Sequence, residues 1–228
     1  MAKRRSILAL ALLVPAPSIG ALAAMVFFPD TALGKTVFAI SKVWLFAFPL
    51  VWLKFVDRGA CSRSPVRKGG LLAGAVSGIA IGLLILGCYF AFGRGLLDQR
   101  LFADRMRAIG LGAWPIFLGG ATYWILINSV LEEYVWRWFV YTKCEALVRP
   151  AAAAVLSALF FTLHHFLALR VYFSLPLASL CSAGIFLGGV IWSFLYLRYR
   201  SIWPGYLSHA VVDLVVFGLG AWILFGRP

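Results

Sequence analysis

Three groups of acidic, histidine and arginine residues stand inside long apolar stretches of this sequence. The groups are Glu132, Glu133 and Arg137; His164 and His165; and His209 and Asp213. Carboxylates and imidazoles are the usual acids and bases of catalysis. Placing a charge near the centre of a bilayer costs about 2.5–3.5 kcal/mol on insertion scales. We therefore expect these side chains to face a cavity, to pair with one another or to carry out chemistry.

The spacing within each group is helical. Glu133 and Arg137 are four residues apart and can form an ion pair along one helix face. His209 and Asp213 have the same spacing. Glu132 lies about 100° around the helix from Glu133, so the two acids need not share a role.

The composition indicates which elements position these residues. The 228 residues are 63% hydrophobic and only 13% charged, and the mean hydropathy is +0.93. A soluble domain would need a polar surface that this chain cannot supply. The predicted fold class is all-α, a polytopic transmembrane helix bundle. A β-barrel is disfavoured because its apolar residues would alternate.

A spanning helix needs about 20 apolar residues. That length predicts seven spans, near residues 7–28, 36–56, 70–93, 114–147, 151–169, 174–198 and 206–225. An eighth would exist if residues 96–110 entered the membrane, but their pattern is typical of an amphipathic interfacial helix. The N-terminus resembles a signal peptide, and we interpret it as an uncleaved first membrane helix.

The net charge indicates which binding partners to expect. The formal net charge of +13 is expected to set orientation and to attract anionic headgroups of the lipid bilayer, with no nucleic-acid binding. Basic residues 3–5, 58–68 and 198–200 fall on one side if the N-terminus is cytoplasmic. The short chain looks bacterial, so we predict an integral protein of the bacterial cytoplasmic membrane.

The cysteines lack paired spacing and are interpreted as small packing residues: Cys61, Cys88, Cys144 and Cys181.

A glycine stripe marks the third predicted span. Glycines recur there every four residues, at Gly70, Gly74, Gly78 and Gly82. Such a stripe lets another helix approach the backbone closely. We expect its role to be structural.

Counting along the chain predicts which groups can meet. Glu132 lies 18 residues before Pro150 and His165 lies 15 after it. At 1.5 Å per residue these positions are about 27 and 22 Å from the turn, so the two can meet at similar depth. His209 follows a predicted break at residues 203–205 by only about one turn. Either that break is sunk into the protein, or the tip of the hairpin at Pro150 stands well out in water.

The three groups resemble the motifs of a known family. Glu132-Glu133 with Arg137 reads as EExxxR, Phe161 with His165 reads as FxxxH, and residues 209–213 read as HxxxN with Asp213 in the last place. This order is similar to that of the CPBP family, which includes CAAX prenyl endopeptidases such as the Ras-converting enzyme and bacterial Abi-type relatives. These are glutamic intramembrane proteases. The resemblance covers roughly residues 112–225, and we divide the chain into N-terminal helices with an interfacial segment (1–110) and a CPBP-like catalytic bundle (111–228).

The resemblance implies roles for individual residues. Glu132 would be the general base, and His165 would hold the attacking water. His209 would stabilise the oxyanion together with Asp213, which must be protonated to donate a hydrogen bond. Alternatively Asp213 accepts the N–H of His209 and orients it.

Supporting roles are also implied by the resemblance. Arg137 would hold Glu133, and Phe161 would belong to the motif of the second group. Phe160 with His164 also satisfies FxxxH, one residue earlier. We favour His165, because Ser157 then stands four residues before the motif Phe, as is common in the family.

Other functions remain open at this point. No cofactor or metal is expected, and no HExxH motif is present, but zinc held by two histidines and Glu132 is an alternative. A second alternative is a non-catalytic membrane protein of the same fold, with an immunity or transport-like role. For an enzyme, the expected partner is a membrane protein or peptide substrate, such as a C-terminal sorting or anchor signal.

Overall fold

The structure is a computed structural model that describes residues 2–60 and 62–226. Its helices in that part of the chain are α1 (Ala2–Phe27), α2 (Ala32–Asp57), α3 (Leu71–Leu96), α4 (Gln99–Ala108), α5 (Trp114–Glu145), α6 (Pro150–Tyr172), α7 (Leu175–Tyr199) and α8 (Trp203–Phe225). Among the described residues, seven helices are long and apolar enough to cross a membrane. The predicted polytopic helical bundle with seven spans is confirmed.

The short helix α4 occupies the segment that raised the question of an eighth span. It has 10 residues, and the Asp98 carboxylate caps it by accepting a hydrogen bond from the Leu101 N–H at 2.9 Å. Ten residues are about 15 Å of helix, which is half of a bilayer core. Phe102 and Met106 pack on a small apolar cluster around Phe117, so α4 lies against the bundle as a surface helix.

Proline marks the start of the four helices that carry the candidate residues or connect them. Pro115, Pro150, Pro176 and Pro204 stand in the first turns of α5, α6, α7 and α8. Proline suits this position because the first turn leaves its N–H groups unpaired in any case.

The start of α8 corrects one expectation. Residues 203–205 were predicted to break the chain, with the last span beginning at 206, but they form the first turn of α8. Ser201 Oγ donates to the Ser64 carbonyl at 2.7 Å, and the Ile202 N–H donates to Ser64 Oγ at 2.9 Å. Ser201 and Ile202 are buried. Of the two alternatives, the structure therefore has the chain reversal sunk into the protein.

Three glycines of the stripe, Gly74, Gly78 and Gly82, pack on α8, whereas Gly70 precedes α3 and lies against the Tyr199 ring of α7. Gly74 lies directly against the backbone of Pro204. A Cβ atom added at Gly78 would lie 2.8 Å from the Ser208 carbonyl oxygen, closer than real Cβ contacts. The predicted close approach of a second helix is thus confirmed, and its partner is the helix that carries His209.

Helix α5 is unusual in its winding. Residues Ser129–Glu133 form a regular α-helical stretch between two π-helical stretches, Tyr123–Asn128 and Tyr134–Tyr141. π-Helical turns are rare and occur often at functional sites. They widen the helix and change the register of its faces, and side chains from 132 to 141 are buried over much of the circumference.

The cysteines of the described chain are unpaired. Cys144 is buried, Cys181 is half-buried and Cys88 is exposed. Cys61 lies outside the described residues. Packing is therefore the role of Cys144, which belongs to the main apolar core.

Candidate active site

Three charged side chains of α5 are buried together. Glu132 is 6% exposed, and Glu133 and Arg137 are 0% exposed. The predicted ion pair is present, with Arg137 Nε 3.5 Å from Glu133 Oε2. The spacing of four residues delivers this contact because both side chains leave the same side of α5.

His209 of α8 lies between the two glutamates. Its Nδ1 atom is 3.1 Å from Glu133 Oε1, and its Nε2 atom is 3.7 Å from Glu132 Oε2. An ionised carboxylate only accepts hydrogen bonds, so Nδ1–H donates to Glu133. Glu132 and Glu133, which need not have shared a role, thus face opposite nitrogens of one imidazole.

Asp213 is held by a different partner from the one expected. Its Oδ2 atom is 2.8 Å from Ser129 Oγ and 3.8 Å from His209 Nε2. The second distance exceeds a direct hydrogen bond. The group that orients His209 through a hydrogen bond is therefore Glu133, and Asp213 faces the other ring nitrogen at longer range.

Both histidines of α6 face Glu132. The His165 Nδ1 atom is 2.9 Å from the Phe161 carbonyl oxygen, which can only accept, so Nδ1 carries the proton and Nε2 keeps its lone pair. The His164 ring stacks on Trp136 at 5.3 Å, and its Nδ1 atom is buried without a hydrogen bond. Each histidine thus retains a ring nitrogen that can bind a polar ligand.

One set of atoms could hold a metal ion. Ligand atoms of Glu132, His164 and His165 all lie within 4.8 Å of one another. Two imidazoles and a carboxylate are a ligand set used by catalytic zinc. The zinc alternative named two histidines and Glu132, and both histidines of that set come from α6.

Aromatic rings enclose the charged centre. The Arg137 guanidinium carbon lies 4.6 Å from the centre of the Phe161 ring and 5.1 Å from that of Trp192. Trp192 also stacks on His209, with centroids 4.0 Å apart and planes at 13°. Its Nε1–H donates to Ser208 Oγ at 3.0 Å. The rings keep bulk water away from the pair and fix the plane of the imidazole.

Three residues at this site were not predicted from the sequence. Ser129 contacts Asp213, Trp192 stacks on His209, and Lys42 of α2 lies near enough to interact electrostatically with Glu132 and both histidines of α6. A lysine well inside an apolar span was a usable signal for Lys42. Ser129 and Trp192 have ordinary spacing for packing residues, and no pattern distinguishes them.

All eight predicted site residues therefore come from α5, α6 and α8 and meet at one place. Residues 112–215, which include this place, match a protein family named Rce1-like. Its full description is type II CAAX prenyl endopeptidase Rce1-like. The match covers just under half of the chain. The family suggested by the three motifs is confirmed. No curated protein and no solved structure matches the chain.

The Rce1-like segment contains every predicted site residue, and α1 to α3 lie outside it. The family supports a CAAX-type membrane protease, and the seven spans support an integral membrane protein. Helix α3 nevertheless touches the site indirectly: Ser77 Oγ donates to Ser208 Oγ at 3.0 Å, which in turn accepts from Trp192. The boundary near residue 110 remains a prediction.

Proposed function

We propose that this protein is an intramembrane endopeptidase in which Glu132 activates a water molecule. The observation that carries the proposal is the meeting of Glu132, a histidine of α6 and His209 in one buried cluster. These groups come from three helices, so their proximity is a property of the fold and not of local spacing. Amide hydrolysis needs a base for the water, a donor for the oxyanion and a proton for the leaving amine.

In this mechanism the attacking water lies between Glu132 and His165. Because Nδ1–H of His165 donates to the Phe161 carbonyl, Nε2 accepts a hydrogen bond from one O–H of the water, which keeps that proton, and so orients the lone pair of the water. Glu132 removes the other proton as the oxygen attacks the substrate carbonyl carbon. The same proton then passes from Glu132 to the amine nitrogen as the C–N bond breaks, which restores the carboxylate.

The oxyanion is stabilised by His209. Glu133 accepts Nδ1–H and balances the charge of a doubly protonated ring, which leaves Nε2–H free to donate to the oxyanion. Arg137 holds Glu133, so this pair positions His209 without touching the reacting atoms. Asp213 lies beside Nε2 and is anchored by Ser129; in this scheme it supports His209.

The surroundings favour chemistry on a lipid-embedded peptide. Trp136, Phe161 and Trp192 are buried around the charged groups, and a site without bulk water strengthens every electrostatic contact in it. We infer that the substrates are membrane-associated peptides or C-terminal anchor and sorting signals. We place the protein in a bacterial cytoplasmic membrane with its N-terminus in the cytoplasm, as the basic residues favour.

The test compares cells that carry the wild-type chain with cells that carry Glu132→Gln. Peptide fragments released from membrane proteins are quantified by mass spectrometry. We expect fragments that depend on the wild-type chain and fall at least about a hundredfold in the variant, since a general base contributes about 10²–10⁴-fold. Glu145→Gln, on the same helix and outside the site, is the matched control.

Two results would redirect the assignment. Undiminished cleavage by Glu132→Gln contradicts the glutamate mechanism. If the wild-type chain releases no fragment, the non-catalytic role with the same fold is favoured.

Zinc is a second candidate because Glu132, His164 and His165 converge. A zinc enzyme would lose activity in a strong chelator and regain it with added Zn²⁺. The glutamate mechanism predicts an activity that the chelator leaves unchanged in purified, reconstituted protein.

A further inference from the structure

A cavity away from the candidate active site lies where the end of α3, the surface helix α4 and the end of α8 meet. Its volume is about 710 Å³, which is in the range of sites for small ligands, about 300–1,000 Å³. Trp222 and Ile223 of α8 form part of its wall. Its charged lining residues are three arginines and one aspartate: Arg94, Arg100, Arg107 and Asp104.

This cavity carries an excess of positive charge. Asp104 is paired with Arg107 at 3.0 Å, so the only acid of the lining is already compensated. In the described part of the chain, no ion pair includes Arg94 or Arg100, and both are exposed. The Arg94 guanidinium carbon lies 4.8 Å from the centre of the Phe90 ring on its own helix. Two guanidinium groups are therefore available to an anion.

The surroundings place the cavity at the depth of lipid headgroups. Helix α4 is amphipathic, because Phe102 and Met106 pack on the bundle while Arg100 and Arg107 are exposed. Such a helix lies in the interface between lipid and water. Trp222, in the last turn of α8, is 57% exposed, and tryptophan is enriched at the same depth. An anionic group bound in this cavity can therefore continue into the lipid.

The arginines of the cavity lie on a face of the membrane where an orientation signal does not explain them. Helix α1 begins, and α2 and α7 end, at the face that holds the basic residues 3–5, 58–68 and 198–200. Helices α3 and α8 end at the opposite face, because successive spans alternate in direction. The positive-inside rule accounts for an excess of basic residues at one face only. The arginines at the end of α3 and on α4 therefore have another role.

We propose that this cavity is a binding site for an anionic phospholipid, with Arg94 and Arg100 on the phosphate oxygens and Trp222 beside the start of the acyl chains. The planar fork of donors in arginine matches the geometry of a phosphate group. A zwitterionic lipid would add a quaternary ammonium to a cavity that already has excess positive charge. The site therefore distinguishes phosphatidylglycerol from phosphatidylcholine, and the bound lipid holds α4 against the end of α8.

The preference is measured by native mass spectrometry of the full-length protein released from detergent micelles. The probes are phosphatidylglycerol and phosphatidylcholine with the same acyl chains, each added over a range of concentrations. We expect the wild type to bind phosphatidylglycerol at least about tenfold more tightly, because each unpaired arginine near the membrane surface favours an anionic lipid. The double variant Arg94→Gln with Arg100→Gln should bind the two lipids equally.

A matched double variant separates this site from the general effect of charge. Arg63→Gln with Arg67→Gln removes the same charge from an exposed loop at the opposite face and should keep the preference. Thermal unfolding in micelles without lipid should be the same for the wild type and both double variants. Equal binding of the two lipids by the wild type overturns the proposal, and so does a preference that survives the loss of Arg94 and Arg100.

A second measurement on the wild type alone separates a lipid from free phosphate. Phosphatidylglycerol with a diazirine in its headgroup is photolysed with the protein in phosphatidylcholine liposomes, and the labelled peptides are identified. We expect labels on α4 and the end of α8, and inorganic phosphate should reduce them no more than chloride at the same ionic strength. If inorganic phosphate removes the labels selectively, the cavity binds soluble phosphate. That result, or labels confined to residues 58–68, overturns the proposal.

Discussion

Helix α5 contributes to two glutamate–arginine pairs that differ in nearly every respect. The side chains of Glu133 and Arg137 are at most 1% exposed, their atoms are 3.5 Å apart, and no guanidinium nitrogen makes a hydrogen bond within the described structure. Glu145 and Arg200 are 22% and 42% exposed and are joined by two hydrogen bonds of 2.6 and 2.7 Å. The buried pair, Glu133 and Arg137, has the larger desolvation penalty and yet the poorer geometry.

The two pairs therefore differ in role. The buried pair positions a side chain of the site, and the exposed pair joins two segments of the protein. Burying two charges is rarely repaid by their mutual attraction, so stability does not explain Glu133 and Arg137. Glu133 accepts a 3.1 Å hydrogen bond from His209 Nδ1–H. Glu145 and Arg200 join the end of α5 to the turn before α8 and touch none of the predicted site residues.

The largest effect is expected from Arg137→Met. This change leaves the Glu133 carboxylate buried without its cation and should lower the free energy of unfolding by about 3–5 kcal/mol. Unfolding by denaturant in mixed micelles measures it. Arg200→Met is the matched control, and equal losses for the two variants would contradict the contrast between the pairs.

A smaller effect, on activity, is expected from Glu133→Gln. The amide keeps the shape but removes the charged acceptor of His209 Nδ1–H, and hydrogen bonds to charged groups contribute about 1.5–3 kcal/mol. The rate of substrate cleavage should fall about ten- to hundredfold. If Glu145→Gln lowered the rate as much, the buried pair would have no special part in positioning His209.

The next effect in size is expected at the backbone contact between α3 and α8, which supports the region of the buried pair. In Gly78→Ala the new Cβ atom would lie 2.8 Å from the carbonyl oxygen of Ser208, the residue whose hydroxyl accepts a hydrogen bond from Trp192. Overpacking of this kind costs about 1–3 kcal/mol. Gly87→Ala on the same helix meets no atom within 4 Å and should be neutral or stabilising in the same unfolding assay.

The smallest effect is expected at the exposed pair itself. Arg200→Gln should cost at most about 1 kcal/mol, because partly exposed pairs are screened by solvent, and should leave cleavage unchanged. A loss of activity with normal stability would show that this pair also acts on the site.

Hydropathy and helical rise are local quantities, so the sequence alone predicted the seven spans and showed that Glu132 and His165 can meet, and their ligand atoms lie within 4.8 Å of one another. Counting residues from Pro150 needs no knowledge of packing. The glycine stripe likewise predicted a close helix contact, although only the fold identifies α8 as its partner.

Contacts between helices could not be predicted in the same way. The bond from His209 to Glu133 joins residues 76 positions apart and depends on how α8 packs on α5. Trp192 and Ser129 are placed at the site by packing alone. Lys42 was readable as a charge in a span, but its relation to Glu132 required the approach of α2 to α5.

An experimental structure of the protein in lipid nanodiscs, at a resolution that shows ordered solvent, tests the central claim most directly. Our account predicts one water molecule within hydrogen-bond distance of both the Glu132 carboxylate and His165 Nε2. A metal ion bound by Glu132 with both α6 histidines, or a Glu132 side chain in contact with lipid tails, would contradict it.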